Sequence, residues 1–319
     1  MQVNQTTLRK SLALSGAGVH SGRPVQLSIH PAPANSGYLF LRKDGEQTRQ
    51  VRAEPAAVVA AEYATVLGDA SGPVVATIEH VLAALYGMGV DNAMIEVDGP
   101  EMPIMDGSAA PFVDAIEAAG IKTLSAKRRY LKVLKPVGVM SGKAYAELRP
   151  NASGFRVECE IEFDCDVIGN QSYALEVEAD TFASEVASAR TFGFLEDLQT
   201  LLDAGYARGA SLDNTVVVGE GKVVNQEGLR YADEFVRHKA LDAVGDLALA
   251  GLPILGAYHS VRGGHRLNYA VLSALLADRS AWTIVEATER SARRPIFRPS
   301  LGLSEVGLRG QPAFSADRT

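Results

Sequence analysis

The stretch Phe235–Leu249, FVRHKALDAVGDLAL, constrains this chain more than any other. His238, Asp242 and Asp246 recur at intervals of four. On a helix, at about 100° per residue, each lies only ~40° round from the last, so an imidazole and two carboxylates climb one stripe. Leu241, Val244, Ala248 and Leu249 form a neighbouring apolar stripe suited to packing, and Gly251-Leu252-Pro253 stops the helix. A His and an Asp one turn apart can converge on one divalent ion. Two ligands are too few for a closed structural site, which wants four. Taken alone, the stretch reads better as a surface helix with an i,i+4 His–Asp contact. A metal reading needs a further ligand from a distant part of the chain.

At 319 residues the chain is long for one compact core, which sets an expectation of two domains. A net charge of -7 with no dominant basic face argues against nucleic acid as the main partner. The N-terminal MQVNQTTLRKSLALSGAG lacks the apolar core of a signal peptide, and AVLSALLA at 270–277 is too short to span a bilayer. A soluble, cytoplasmic protein is expected. The only two cysteines, Cys159 and Cys165, fall in FRVECEIEFDC. There Phe155, Val157, Cys159, Ile161, Phe163 and Cys165 alternate with polar residues as one buried face of a strand. Six residues of strand hold the two thiols ~20 Å apart, beyond disulfide reach. Both read as core residues of a protein in a reducing compartment.

The two halves share an order of elements. A helix at 78–89, strand at 90–97, loop at 99–107 and helix at 108–119 parallel a helix at 234–250, strand at 253–261, loop at 262–266 and helix at 267–278. Basic residues between 124 and 137 mark a shift in composition, and the boundary is set there: one domain over 1–126, a second over 127–287, and a flexible tail from 288 to 319. Two α+β domains of related build that pack helix layer to helix layer would bring their first helices together at the cleft.

The first helix of the first half carries Glu79-His80. If His80 ligates a metal together with His238 and Asp242, Glu79 is near enough to take a proton from water that the ion has acidified. The spacing is not that of HExxH enzymes, since Ala83 and Ala84 follow, and by itself Glu79-His80 also reads as a surface pair at a helix start. His265 follows Gly263-Gly264, where backbone can approach a ligand closely. An imidazole there suits general-acid work or charge stabilisation. Asp246, two turns along from His238, could orient His265 and keep it protonated. Thr191 in ARTFGF could donate to an oxyanion, and Lys239 and Arg262 could bind phosphate. Locally His265 and Asp246 are equally an exposed turn histidine and a helix-surface carboxylate, while Thr191 reads by default as a structural strand-end residue and Lys239 and Arg262 as solvated surface charges. There is no G-x-S-x-G elbow and no G-x-x-x-x-G-K-[ST] loop.

Taken together, SGAGVHSG, HPAPANSGYLF, TIEHVLAAL, VDNAMIEVDGPEMPIMDGSAAPF, ARTFGF, NQEGLRYADEFVRHKALDAVGDL and the GGH loop, in this order over about residues 4–280, resemble the UDP-3-O-acyl-N-acetylglucosamine deacetylase family of Gram-negative lipid A (lipopolysaccharide) biosynthesis. The resemblance implies an α+β fold in which two related α/β-layer domains pack as a β-α-α-β sandwich, with the active site at the domain interface. It implies Zn²⁺ held by His80, His238 and Asp242, with Glu79 as general base. His265 is implied as general acid or charge stabiliser with Asp246 as its partner, and Thr191 as an oxyanion donor. Lys239 takes the family's substrate-contact position, and Arg262, Phe192 and Phe194 join it as expected substrate-binding residues. An insert near 192–217 is expected to form a hydrophobic passage for the 3-O-acyl chain, with Phe194, Leu198, Leu201 and Leu202 as lining candidates. The expected partner is the UDP-3-O-acyl-N-acetylglucosamine substrate, and the expected state is a monomer with no integral membrane segment. Two rivals stand beside this reading: a deacetylase of another acetylated sugar, and a catalytically silent module that binds a nucleotide sugar.

Overall fold

The computed structural model describes residues 2–45 and 47–288. Its first half is built on a five-stranded sheet. The hairpin Leu12–Ala17/Pro24–Pro31 and the hairpin Tyr38–Asp44/Gln47–Arg52 flank a central strand, Ala93–Val97. That strand runs antiparallel to Pro24–Pro31 and parallel to Tyr38–Asp44. The second half repeats the arrangement. Hairpins Val137–Ser141/Ala144–Arg149 and Phe155–Glu162/Asn170–Glu176 flank Ile254–Val261, antiparallel to the first hairpin and parallel to the second. Arg129–Val133 and Trp282–Glu286 extend this sheet to seven strands. The shared order expected from the sequence is therefore a shared topology, and the α+β class follows.

Period-two alternation puts one face of each sheet into the core. Val25, Leu27 and Ile29 are buried on one strand, and Phe155, Val157, Cys159 and Ile161 on another. The buried faces meet helices, not each other. Glu79–Gly87 from the first half and Glu234–Leu247 from the second pack side by side between the sheets. Leu82, Leu85, Leu241 and Val244 belong to one continuous apolar cluster. The ladder helix is thus almost wholly buried, and its reading as an exposed surface helix is excluded.

Gly245 sets how close the two helices come. A Cβ there would lie 2.0 Å from the Glu79 carbonyl oxygen, inside the neighbouring helix's backbone. Glycine costs a helix interior ~1 kcal/mol relative to alanine, so close approach explains its presence. Gly245→Ala is expected to lower stability by about 2–3 kcal/mol despite its better helix propensity, measured as a drop in the urea midpoint. An unchanged or raised midpoint would show that the helices can separate freely.

Each half also carries a small three-stranded sheet ahead of its helix. Val58–Ala60, Val66–Asp69 and Gly72–Ala76 precede Glu79–Gly87, while Phe192–Phe194, Val216–Gly219 and Lys222–Val223 precede Glu234–Leu247. Strand pairing among the described residues stays within 4–127 or within 129–286. We propose on this basis that the division into two domains falls near residue 127. The tail expected from residue 288 lies, except for Thr288, outside the described residues.

Two local expectations need correction. The strand carrying Cys159 ends at Glu162, and Cys165 lies in the turn that follows, where its carbonyl accepts the Ile168 and Gly169 N–H groups. Cys159 is buried and Cys165 half-buried, and both are free thiols. The last helix starts at His265 rather than 267, directly after the extended Gly264 at its N-cap.

Candidate metal centre

Three helices supply the site. Glu79 and His80 open the Glu79–Gly87 helix, His238, Asp242 and Asp246 ride the Glu234–Leu247 helix, and His265 begins His265–Ala277. The imidazoles of His80 and His238, 158 residues apart in sequence by their numbers, stand edge to face with centroids 5.0 Å apart. Asp242 Oδ1 lies 3.4 Å from His238 Nε2 and 3.7 Å from His80 Nε2. Ligand atoms of the three residues all fall within 4.8 Å of one another.

This arrangement fits a metal ion. Ligand atoms ~2.1 Å from a four-coordinate ion lie about 3.4 Å apart, close to the two separations seen. Asp242 Oδ1 is buried and accepts no hydrogen bond, although it faces two imidazoles. His238 Nδ1 donates to the Ala189 carbonyl at 3.0 Å, which puts the lone pair on Nε2, towards Asp242. Two acceptors so close in a buried site repel unless a cation lies between them. Burial lowers His238 to about 4 against the pull of Asp242. Asp242 behaves oppositely: burial disfavours its charge, but His238, Lys239 and His265 hold its carboxyl well below the usual range.

Beside this group stands a second one, Glu79, Asp246 and His265. Asp246 Oδ2 accepts from His265 Nδ1 at 2.9 Å and from Asn268 Nδ2 at 2.8 Å. His265 Nε2 then points back towards Asp242, 4.0 Å from Oδ2. Burial opposes the imidazolium, but Asp246, Asp242 and Glu79 outweigh it and push His265 up to about 10. Glu79 is raised by burial, partly offset by His265 and His80. A carboxyl and an imidazole, both shifted upward, thus face one space.

That space is a cavity of about 900 Å³. Glu79, His80, His238, Asp242 and His265 line one end. Phe192, Phe194, Leu198, Leu201 and Val217 from the insert line another part, while Leu202 does not. Thr191 lines it too, its segment fixed by its N–H to the Gly107 carbonyl at 2.8 Å. Asp246 stays behind the wall.

Two of the expected substrate contacts have protein partners. Lys239 Nζ donates to Asp242 Oδ2 at 2.9 Å and lies over the Phe192 ring. Arg262, at φ 53°, pairs with Glu162 at 2.6 Å. Both still border the cavity.

Several supporting residues carry no sequence signal. Arg190, 2% exposed, bonds Glu234 through Nε at 2.8 Å and through its own backbone N–H at 3.0 Å. This buried pair seats the Ala189 carbonyl that orients His238. Glu101 accepts from the backbone N–H of His20 and Ser21 and from the Thr77 hydroxyl. It thereby holds Thr77 at φ 58°, an unusual angle for a β-branched residue, just before Glu79. Only Asn268 had a cue, standing one turn beyond His265 on the same helix.

A half-open trio of nitrogen and oxygen donors at the end of a largely apolar cavity, with a buried carboxylate beside it, defines the class: a candidate metallohydrolase centre built across two α+β halves. The family model described as LpxC, UDP-3-O-acyl N-acetylglycosamine deacetylase, matches residues 5–277. Proteins named UDP-3-O-acyl-N-acetylglucosamine deacetylase from Brucella ovis and Brucella canis are each 47% identical to this chain over 288 residues, covering 90% of it and all of the relative. One of the same name from Brucella melitensis is 46% identical over the same span. The chain belongs to this deacetylase family.

Proposed function

We propose that this chain hydrolyses the acetamide of UDP-3-O-(3-hydroxyacyl)-N-acetylglucosamine, releasing acetate and the free amine in lipid A biosynthesis, with Zn²⁺ held by His80, His238 and Asp242. The observation that carries the reading is the pairing of two clusters at one cavity: three donors within 4.8 Å of one another, and Glu79 beside the His265–Asp246 pair. A set of two imidazoles and one carboxylate with an open position suits catalytic zinc. When bound, the ion supplies a Lewis acid that polarises the acetamide carbonyl and acidifies water in the open position. Glu79 takes the proton of the attacking water. The Thr191 hydroxyl donates to the oxygen that gains charge as the carbonyl carbon becomes tetrahedral. His265 Nε2 gives its proton to the amide nitrogen as the C–N bond breaks, while Asp246 on Nδ1 keeps the ring aimed. Lys239 and Arg262 face the diphosphate, Phe192 and Phe194 contact the substrate, and the insert receives the acyl chain.

No helix among the described residues is long and apolar enough to cross a membrane. We take the protein to act in the cytoplasm as a monomer.

The metal-loaded protein should be assayed for acetate release from the 3-O-acylated substrate and from UDP-N-acetylglucosamine. Burying four methylenes at ~0.8 kcal/mol each contributes about 3 kcal/mol, so a preference of at least ~100-fold in kcat/KM for the acylated substrate is expected. Equal rates would favour another acetylated sugar. Binding without acetate release would leave a silent module.

A further inference from the structure

Outside the ligand trio, one buried residue touches both proton-handling groups. Thr65 immediately precedes the strand Val66–Asp69 of the first half's small sheet and is 1% exposed. Its backbone N–H donates to Glu79 Oε2 at 3.1 Å. Its hydroxyl donates to Asp246 Oδ1 at 2.6 Å, across 181 residues of sequence. Its carbonyl accepts the Ile78 N–H at 3.5 Å, one residue before Glu79. It does not line the cavity, so it cannot touch substrate.

Glu79 and Asp246 are buried carboxylates on different helices, and burying two like charges near each other is costly. A donor to each from a single residue relieves that cost and links the helices at one point. Among the described residues the hydroxyl is also the one donor to Asp246 Oδ1, since His265 and Asn268 both go to Oδ2. Without it Oδ1 is a buried acceptor with no donor, and the carboxylate that aims the His265 ring is held through Oδ2 alone. Asn268 closes the far side, accepting from the Tyr258 hydroxyl. Tyr258, Asn268, Asp246 and Thr65 thus form a buried chain of polar groups that ends on Glu79.

We propose that Thr65 is a positioning residue that locks the base Glu79 and the His265–Asp246 pair into one unit across the two halves. This rests on the roles assigned to those residues above. Its hydroxyl, not its bulk, is the working part, so Thr65→Ser and Thr65→Val separate the two. Loss of an outer hydrogen bond to a reacting group typically costs 10–100-fold, and that loss is expected in kcat for Thr65→Val, with KM within about threefold. Thr65→Ser should stay within about threefold of the parent in kcat, because the hydroxyl is kept. Metal content should match the parent in both variants, since Thr65 touches no proposed ligand.

Coupling is read by repeating Thr65→Val in an Asp246→Asn background. A further loss below about threefold is expected there, because residues in one hydrogen-bond network are non-additive. Equal losses in Ser and Val, full additivity, loss of metal with Val, or a Val variant as active as the parent would each overturn the proposal. Thr65→Ala substitutes if the Val variant does not fold. If the parent itself releases no acetate, the functional reading fails alone, and crystal structures of the two variants decide this one. A turned Asp246 carboxylate in Val only supports it, and the parent arrangement kept in both sinks it.

Discussion

Glu79→Gln should keep its metal and lose about 10²- to 10⁴-fold in acetate release, the usual contribution of a positioned general base. Glutamine matches glutamate in size and can still accept the Thr65 N–H through its carbonyl oxygen. Packing at the start of the Glu79–Gly87 helix therefore survives, and only the proton acceptor is removed. Burial raises the Glu79 carboxyl, which strengthens it as a base when it is ionised. Because the trio His80, His238 and Asp242 does not include Glu79, metal per chain should equal the parent's. Rate and metal content measured on one preparation separate the two effects. A Gln variant within threefold of the parent would remove Glu79 from the role of base, for the range quoted is far larger.

Asp242→Ala is the complementary case, in which metal goes first. The substitution takes one donor of three from the centre and leaves the Lys239 ammonium without its 2.9 Å partner. Losing a group that only orients a ligand costs 10–100-fold in metal affinity, and losing the ligand itself should cost more. Metal per chain after dialysis is expected to fall below about a tenth of the parent's, with acetate release at background. Asp242→Asn tests the same point at constant volume. Metal retention equal to the parent's in both variants would take Asp242 out of the ligand set, and with it the reading of its unpartnered Oδ1.

Much of this centre was legible because its parts repeat at helical spacing. His238, Asp242 and Asp246 share a stripe on any helix, and a glycine pair before His265 marks where backbone bends. The repeated order of helix, strand and helix in the two halves foretold that their first helices meet. Burial of the ladder helix was not legible, since its apolar stripe is only moderately wide and its polar residues look like a solvent face. They are polar because they face a cavity and a neighbouring helix. Lys239 is a similar case: it lies ~100° round the helix from His238, yet Asp242, three residues on, is within its reach. Thr65 left no trace in the sequence, and Glu101, though inside a stretch that carries the family resemblance, gave no sign of its role. Their hydrogen bonds join residues far apart along the chain, and only the packed fold brings them together. Cys165 misled for the opposite reason, because alternation of polar and apolar residues continued past the end of the strand.

The contact between Gly245 and the Glu79 carbonyl has a consequence for how such a chain can drift. Donors from the two halves are indexed to each other across a seam with no spare atom in it, so neither half can be reshaped alone without unseating the other's. Variation that changes reactivity is thereby steered to the outer insert and the loops around the mouth, where a residue can be exchanged without disturbing that alignment.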